Sequence, residues 1–244
     1  MKIMFLMGKA NIQNKEDDCP LYLTEINKQL LLERQLHHCL PLEPSQFLFC
    51  VRVEDIKRFK VKEIIAQIVP TAIVIPVHSE TRGAACTALL GAEHIDNEEE
   101  LLLLATDDFV DDDATNIVGY YRQKQYDAGV VSFTSVHPRY SFAKLDEAGT
   151  VVEVSEKKPI SKNALASYYY FRHGRDFVAC AMNVIRKDSP VENAFYISQT
   201  LNEMILLQKK IGLYKVENDN FHPLKTEMQL AQYLADIKDL RESK

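Results

Sequence analysis

Apolar and polar positions fall in blocks along the first half of the chain. KIMFLM (2–7), FLFCV (47–51), AIVIPV (72–77), LLLLA (101–105) and GVVSFTSV (129–136) are short apolar runs of strand length. Between them, residues 23–40, 53–69, 81–95 and 112–126 predict helices. Thr24 is the candidate N-cap of the first, and aspartates open the last, where the helix dipole favours them. This order predicts an α/β fold: a mainly parallel sheet with helices on both faces. Beyond residue 140 the rhythm changes. SFAKLDEAGTVVEVSEKK (141–158) predicts two strands joined at Asp146–Gly149, with further strands over 167–171 and 211–216. Helices are expected over 175–187, 196–210 and 226–240. No repeat or composition break divides residues 1–244, so a single domain is expected.

Composition narrows the partners. The 244 residues carry 29 basic and 35 acidic side chains, a net charge of −6, with no basic tract. Nucleic acid is therefore a poor candidate partner. IMFLM is too short an apolar core for a signal peptide, and no segment reaches the ~20 apolar residues of a membrane span. Five scattered cysteines without a CxxC argue against a disulfide framework or structural zinc, and for a reduced, cytoplasmic protein. His37 and His38 lack a third ligand at metal spacing, and the common nucleotide-loop and nucleophile motifs are absent.

Three stretches carry candidate chemistry. Thr106, Asp107 and Asp108 end the strand LLLLA, where open α/β sheets bind ligands. A carboxylate there suits Mg²⁺, which takes one or two protein carboxylates plus substrate phosphates; equally, the aspartates would end a strand in a turn. Asp111, Asp112 and Asp113 precede a helix and read as its cap. Thr81-Arg82-Gly83-Ala84-Ala85 joins a strand to a small-residue helix. Such a turn offers backbone N–H groups to an anion or room for a base, or simply close packing. Glu156-Lys157-Lys158-Pro159 sets a carboxylate for sugar hydroxyls beside lysines for phosphate, or is a solvated charge run. Tyr168, Tyr169 and Tyr170 alternate across a strand, so one side faces the core and the other a cleft or solvent.

Together, TRGAACTALLGAEHI, LLLLATDD, VHPRYSFAKLDEAGTVVEVSEKKPIS, ENAFYISQTLNEMI and LKTEMQLAQYL resemble, in order and spacing, the sugar-phosphate nucleotidyltransferases, or nucleoside-diphosphate-sugar pyrophosphorylases. The likeness covers residues 71–235 and is strongest to short bacterial members found with surface-polysaccharide genes. It implies a Rossmann-like, glycosyltransferase-A type sheet, with a nucleotide-binding half (1–136) and a sugar-phosphate half (137–244). It also implies transfer of a nucleotidyl group from an NTP to a sugar 1-phosphate or similar phosphate, with release of pyrophosphate. Gly8, Gly83, Ala84 and Thr106 would face the nucleotide, and Asp107 would hold Mg²⁺. Tyr140, Ser141, Ala143, Glu156 and Tyr169 would border the sugar. Lys157 would meet its phosphate, with Lys9 and Arg82 as further phosphate cations.

The chain departs from the family pattern on its phosphate side. The Gly-rich loop ending in arginine is replaced by Gly8-Lys9-Ala10-Asn11, and Leu21-Tyr22-Leu23 stands where a Pro-Lys-Pro is expected. A second family aspartate falls around Pro223, the glycine before the tyrosine strand is Ser167, and a glutamate before Phe195 is Ala194. The alternative is thus a catalytically impaired homologue that binds a nucleotide or nucleotide sugar, or pairs with a catalytic partner. A glycosyltransferase is disfavoured, because the one Asp-x-Asp, Asp111 and Asp113, lies at the helix cap. The sequence leaves a homodimer open.

Overall fold

The computed structural model describes residues 1–7 and 19–242, with side chains to Ile237. Gly8 and Lys9 therefore lie outside the described residues. Strand β1 (Lys2–Met7) opens the fold, and a small hairpin, β2 (Glu25–Ile26) and β3 (Gln29–Leu30), follows. Helix α1 (Leu31–Cys39) is shorter than the 23–40 expected. Asn27 and Lys28, both at positive φ, turn the chain between β2 and β3, so the helix starts after Leu30 and Thr24 does not cap it. β4 (Gln46–Arg52) leads to α2 (Val53–Phe59) and α3 (Val61–Ile68). These divide the expected helix 53–69 at Lys60, whose φ of 54° cannot continue a right-handed helix.

β5 (Ile73–Val77) is followed by two short helices, α4 (Ala84–Leu89) and α5 (Ala92–Ile95), where one was expected. Then come β6 (Leu101–Ala105), a three-residue strand β7 (Asp108–Val110), α6 (Ala114–Gln123) and β8 (Ala128–Thr134). Asp113 caps α6 by accepting from the Thr115 N–H at 2.7 Å, as the sequence predicts. The second half holds β9 (Ser141–Leu145), β10 (Val151–Glu156), β11 (Asn163–Phe171), α7 (Gly174–Arg186), α8 (Ile197–Leu206), β12 (Ile211–Lys215), β13 (Phe221–Pro223) and α9 (Glu227–Glu242).

Among the described residues, nine strands join in one sheet. β5, β4, β1 and β6 run parallel in that order. β11 then pairs antiparallel with both β6 and β8, so β8 does not neighbour β6 as simple alternation would place it. The hairpin β9–β10 extends the sheet from β11, and β12 lies parallel on β8. Side-chain alternation builds a core on each face. Leu102, Leu104, Tyr168 and Tyr170 enter one core with Phe5, Phe49 and Tyr121. Leu101, Leu103, Tyr169 and Phe171 enter the other with Met4, Leu48 and Phe177. All three tyrosines are thus buried. No helix among the described residues is long and apolar enough to cross a membrane.

Candidate active site

A cavity of about 710 Å³ opens beyond the carboxyl ends of β1 and β6, between the start of α4 and the ends of β9 and β10. Its walls include Arg82, Gly83, Ala84, Thr106, Asp107, Tyr140, Ser141, Glu156, Lys157 and Tyr169, so the topology brings together most of the residues selected from sequence. Ala143 is the exception. It is fully buried in the core beneath the site, and its carbonyl accepts from the Ser161 hydroxyl at 2.7 Å.

Gly83 adopts φ +106°, and its peptide is clamped against Phe195: the Phe195 N–H donates to the Arg82 carbonyl at 2.7 Å. The Ala85 N–H donates to the Phe195 carbonyl at 3.1 Å. That bond uses one of the backbone donors that the sequence offered to an anion. A side chain at Gly83 would run into the Phe195 carbonyl.

Across the cavity, Glu156 accepts hydrogen bonds from the Ser141 and Ser198 hydroxyls, the latter at 2.6 Å and both on Oε2. Lys157 follows at φ 56°. Its ammonium donates to Glu192 and lies 5.4 Å from the centre of the Tyr196 ring. Burial works against the Lys157 charge, but the bonds to Glu192 and Tyr196 outweigh it and raise its pKa. Arg82 stacks on Phe195 at 4.8 Å and reaches Asp188 at 3.6 Å. The two expected phosphate cations among the described residues, Arg82 and Lys157, are therefore tied to one segment, 188–192.

Asp107 and Asp108 differ. The Asp108 carboxylate is buried and accepts from the Ser167 N–H at 3.1 Å. Burial, and then the Asp107 charge beside it, raise its pKa. Asp107 lines the cavity and meets the Lys225 ammonium at 3.4 Å. Burial opposes the Lys225 charge, yet Asp107 and Asp108 outweigh it and raise its pKa above the ordinary value.

The family model for "Nucleotidyl transferase" matches residues 21–203. The chain belongs to the nucleotidyl transferase family. No curated protein matches the sequence. Among solved structures, it superposes on the nucleoside-diphosphate-sugar pyrophosphorylase from Vibrio cholerae RC9 with a TM-score of 0.81 and 22% identity, covering 96% of this chain and 100% of the other. The inositol-1-phosphate CTP transferase from T. maritima gives a TM-score of 0.76 at 10% identity, over 97% of this chain and 96% of that one. A UDP-glucose pyrophosphorylase complexed with UDP-glucose gives 0.76 at 13%, over 100% and 99%. At these identities the likeness is one of fold, the mainly parallel α/β sheet described above.

As a member of this family the chain was expected to hold Mg²⁺ at Asp107, and the residues present do not fit that ion. Asp107 already faces an ammonium, and Asp108 is buried and bonded to backbone. Sequence reasoning also passed over Lys225, Tyr196, Glu192 and Ser198. The first lies in LKTEMQLAQYL and the other three in ENAFYISQTLNEMI, segments that matched the family pattern, but only folding shows which of their residues reach the cavity.

Proposed function

We propose that this nucleotidyl transferase joins a nucleoside triphosphate to a sugar 1-phosphate or a similar phosphate and releases pyrophosphate, in the cytoplasm, for surface-polysaccharide synthesis. The observation that carries the reading is the shared cavity: the Gly83–Ala84 wall faces a hairpin end bearing Glu156 and Lys157. In the reaction, an oxygen of the sugar phosphate attacks the α-phosphorus of the NTP. The bond from that phosphorus to the bridging oxygen breaks, and pyrophosphate leaves. No covalent enzyme intermediate is needed. Positioning and positive charge suffice, and this chain supplies Arg82, Lys157 and Lys225 around the cavity.

Gly83 and Ala84 leave space for the base. Glu156 accepts sugar hydroxyls, and Lys157 exchanges Glu192 for the sugar's phosphate. Pyrophosphate release from each NTP, against a panel of sugar 1-phosphates, tests this. Turnover with at least one pair is expected, and Lys157→Ala should lower kcat/KM by about tenfold or more. A flat result with every pair would leave a module that binds a nucleotide without turnover, a reading favoured by the acidic partners already holding Arg82 and Lys157.

A further inference from the structure

Four cations line the cavity, and they are held differently: Arg139 lies against His137 and Tyr140. Arg82 is half exposed, and Lys157 is tied to the exposed Glu192. Lys225 is less exposed than Arg82, and its partner, Asp107, belongs to the cavity wall. Its place is set by backbone. The short antiparallel ladder of β7 and β13 puts Pro223 opposite Asp108. The Leu224 N–H then donates to the Asp107 carbonyl at 2.9 Å, with the Leu224 side chain fully buried. The Lys225 N–H donates to Gln229 Oε1 at 2.9 Å, which ties the lysine to the first turn of α9. An ammonium has three N–H donors, and Asp107 occupies one. Among the described residues the ammonium has no other hydrogen-bond partner, so its remaining donors can meet phosphate oxygens entering the cavity. Adding a divalent cation at Asp107 would set it against this fixed positive charge.

We propose that Lys225 stands in place of a divalent metal at Asp107: its ammonium meets the phosphates of a bound nucleotide, and this chain grips a triphosphate without Mg²⁺. The inference rests on the nucleotidyl transfer reading for the nature of the ligand, but concerns only what neutralises its phosphates.

Calorimetric binding of ATP, CTP, GTP, UTP and dTTP to the full chain, in EDTA and in Mg²⁺, tests it. At least one nucleotide is expected to bind in EDTA as tightly as in Mg²⁺. Lys225→Ala should weaken that binding by about tenfold to a hundredfold. Lys225→Asp, which sets a second carboxylate opposite Asp107, should make binding depend on Mg²⁺. Mn²⁺ alone, followed by its paramagnetic resonance signal, should titrate saturably into that variant and not into the parent. Parental binding that vanishes in EDTA and returns with Mg²⁺ would overturn the inference and leave nucleotidyl transfer standing. So would saturable Mn²⁺ uptake by the parent, or undiminished binding by Lys225→Ala. If no nucleotide binds the parent under either condition, the transfer reading falls and this inference falls with it. The parent's own response to EDTA decides the matter even where a variant fails to fold.

Discussion

At the scale of single residues, the hydrogen bonds around Glu156 show how the site prepares a carboxylate. Ser198 is fully buried on α8 and Ser141 begins β9, yet both donate to the same oxygen, Oε2. Among the described residues Oε1 has no hydrogen-bond donor, and on the proposed reading its lone pairs meet a sugar hydroxyl. Ser198→Ala should raise KM for the sugar phosphate by about threefold to tenfold, with KM for the NTP unchanged. Equal changes in both would mean that Ser198 supports the fold at large and not Glu156. His38 shows a different cost. Its ring meets Phe109 edge-on at 5.3 Å, and among the described residues its buried Nε2 has no hydrogen-bond partner. Burial lowers its pKa below the ordinary 6.5; Asp111, Asp112 and Asp113 pull it back and Arg34 pushes with burial. The unfolded chain therefore takes up a proton at a higher pH than the folded one. The stability from a neutral His38 is present above 6.5 and is lost as pH falls through that value. Denaturant midpoints should fall from neutral pH towards about 5, and His38→Phe should make the decline shallower. His222, also lowered by burial, adds a slope of the same sign, so the variant should not abolish it. An identical decline in parent and variant would clear His38.

At the scale of elements, the turn before α4 carries the sharpest constraint. Gly83 combines φ +106° with a close approach to the Phe195 carbonyl. Gly83→Ala should cost about 1–3 kcal/mol in backbone strain alone and should also push Phe195 from its place. A lower unfolding midpoint together with lost nucleotide binding is expected. Parental values for both would show that the turn adapts. Elements whose signal is local periodicity were legible in the sequence. The four tandem leucines of β6 and the alternating tyrosines of β11 occupy both cores as period-two packing requires. The capping aspartate of α6 was legible too, because a cap depends on neighbours two residues away. Breaks at Lys60 and at Asn27–Lys28 were not. Positive φ at lysine has no compositional mark.

At the scale of the whole molecule, the segment 188–196 links the two halves of the site. Asp188 and Asn193 hold Arg82 from the first half, while Glu192 and Tyr196 hold Lys157 from the second. On the proposed reading, an arriving phosphate competes with Glu192 for Lys157. Glu192→Gln should therefore tighten binding of a sugar 1-phosphate, by about threefold to tenfold in calorimetry. Weaker binding would mean that Glu192 orders Lys157 for the ligand. The sequence by itself determined the buried strands, their faces, the cap of α6 and the motifs that line the cavity. These follow from short-range spacing, since side-chain direction repeats along a strand or helix. Only the tertiary structure decided that β11 lies between β6 and β8, that Ala143 sits beneath the site, and that Lys225 faces Asp107. β7 and β13 are three residues each, too short to show a period, and their register rests on backbone bonds that most side chains permit. The charge that answers Asp107 is therefore chosen by pairing between distant parts of the chain, which local pattern does not encode.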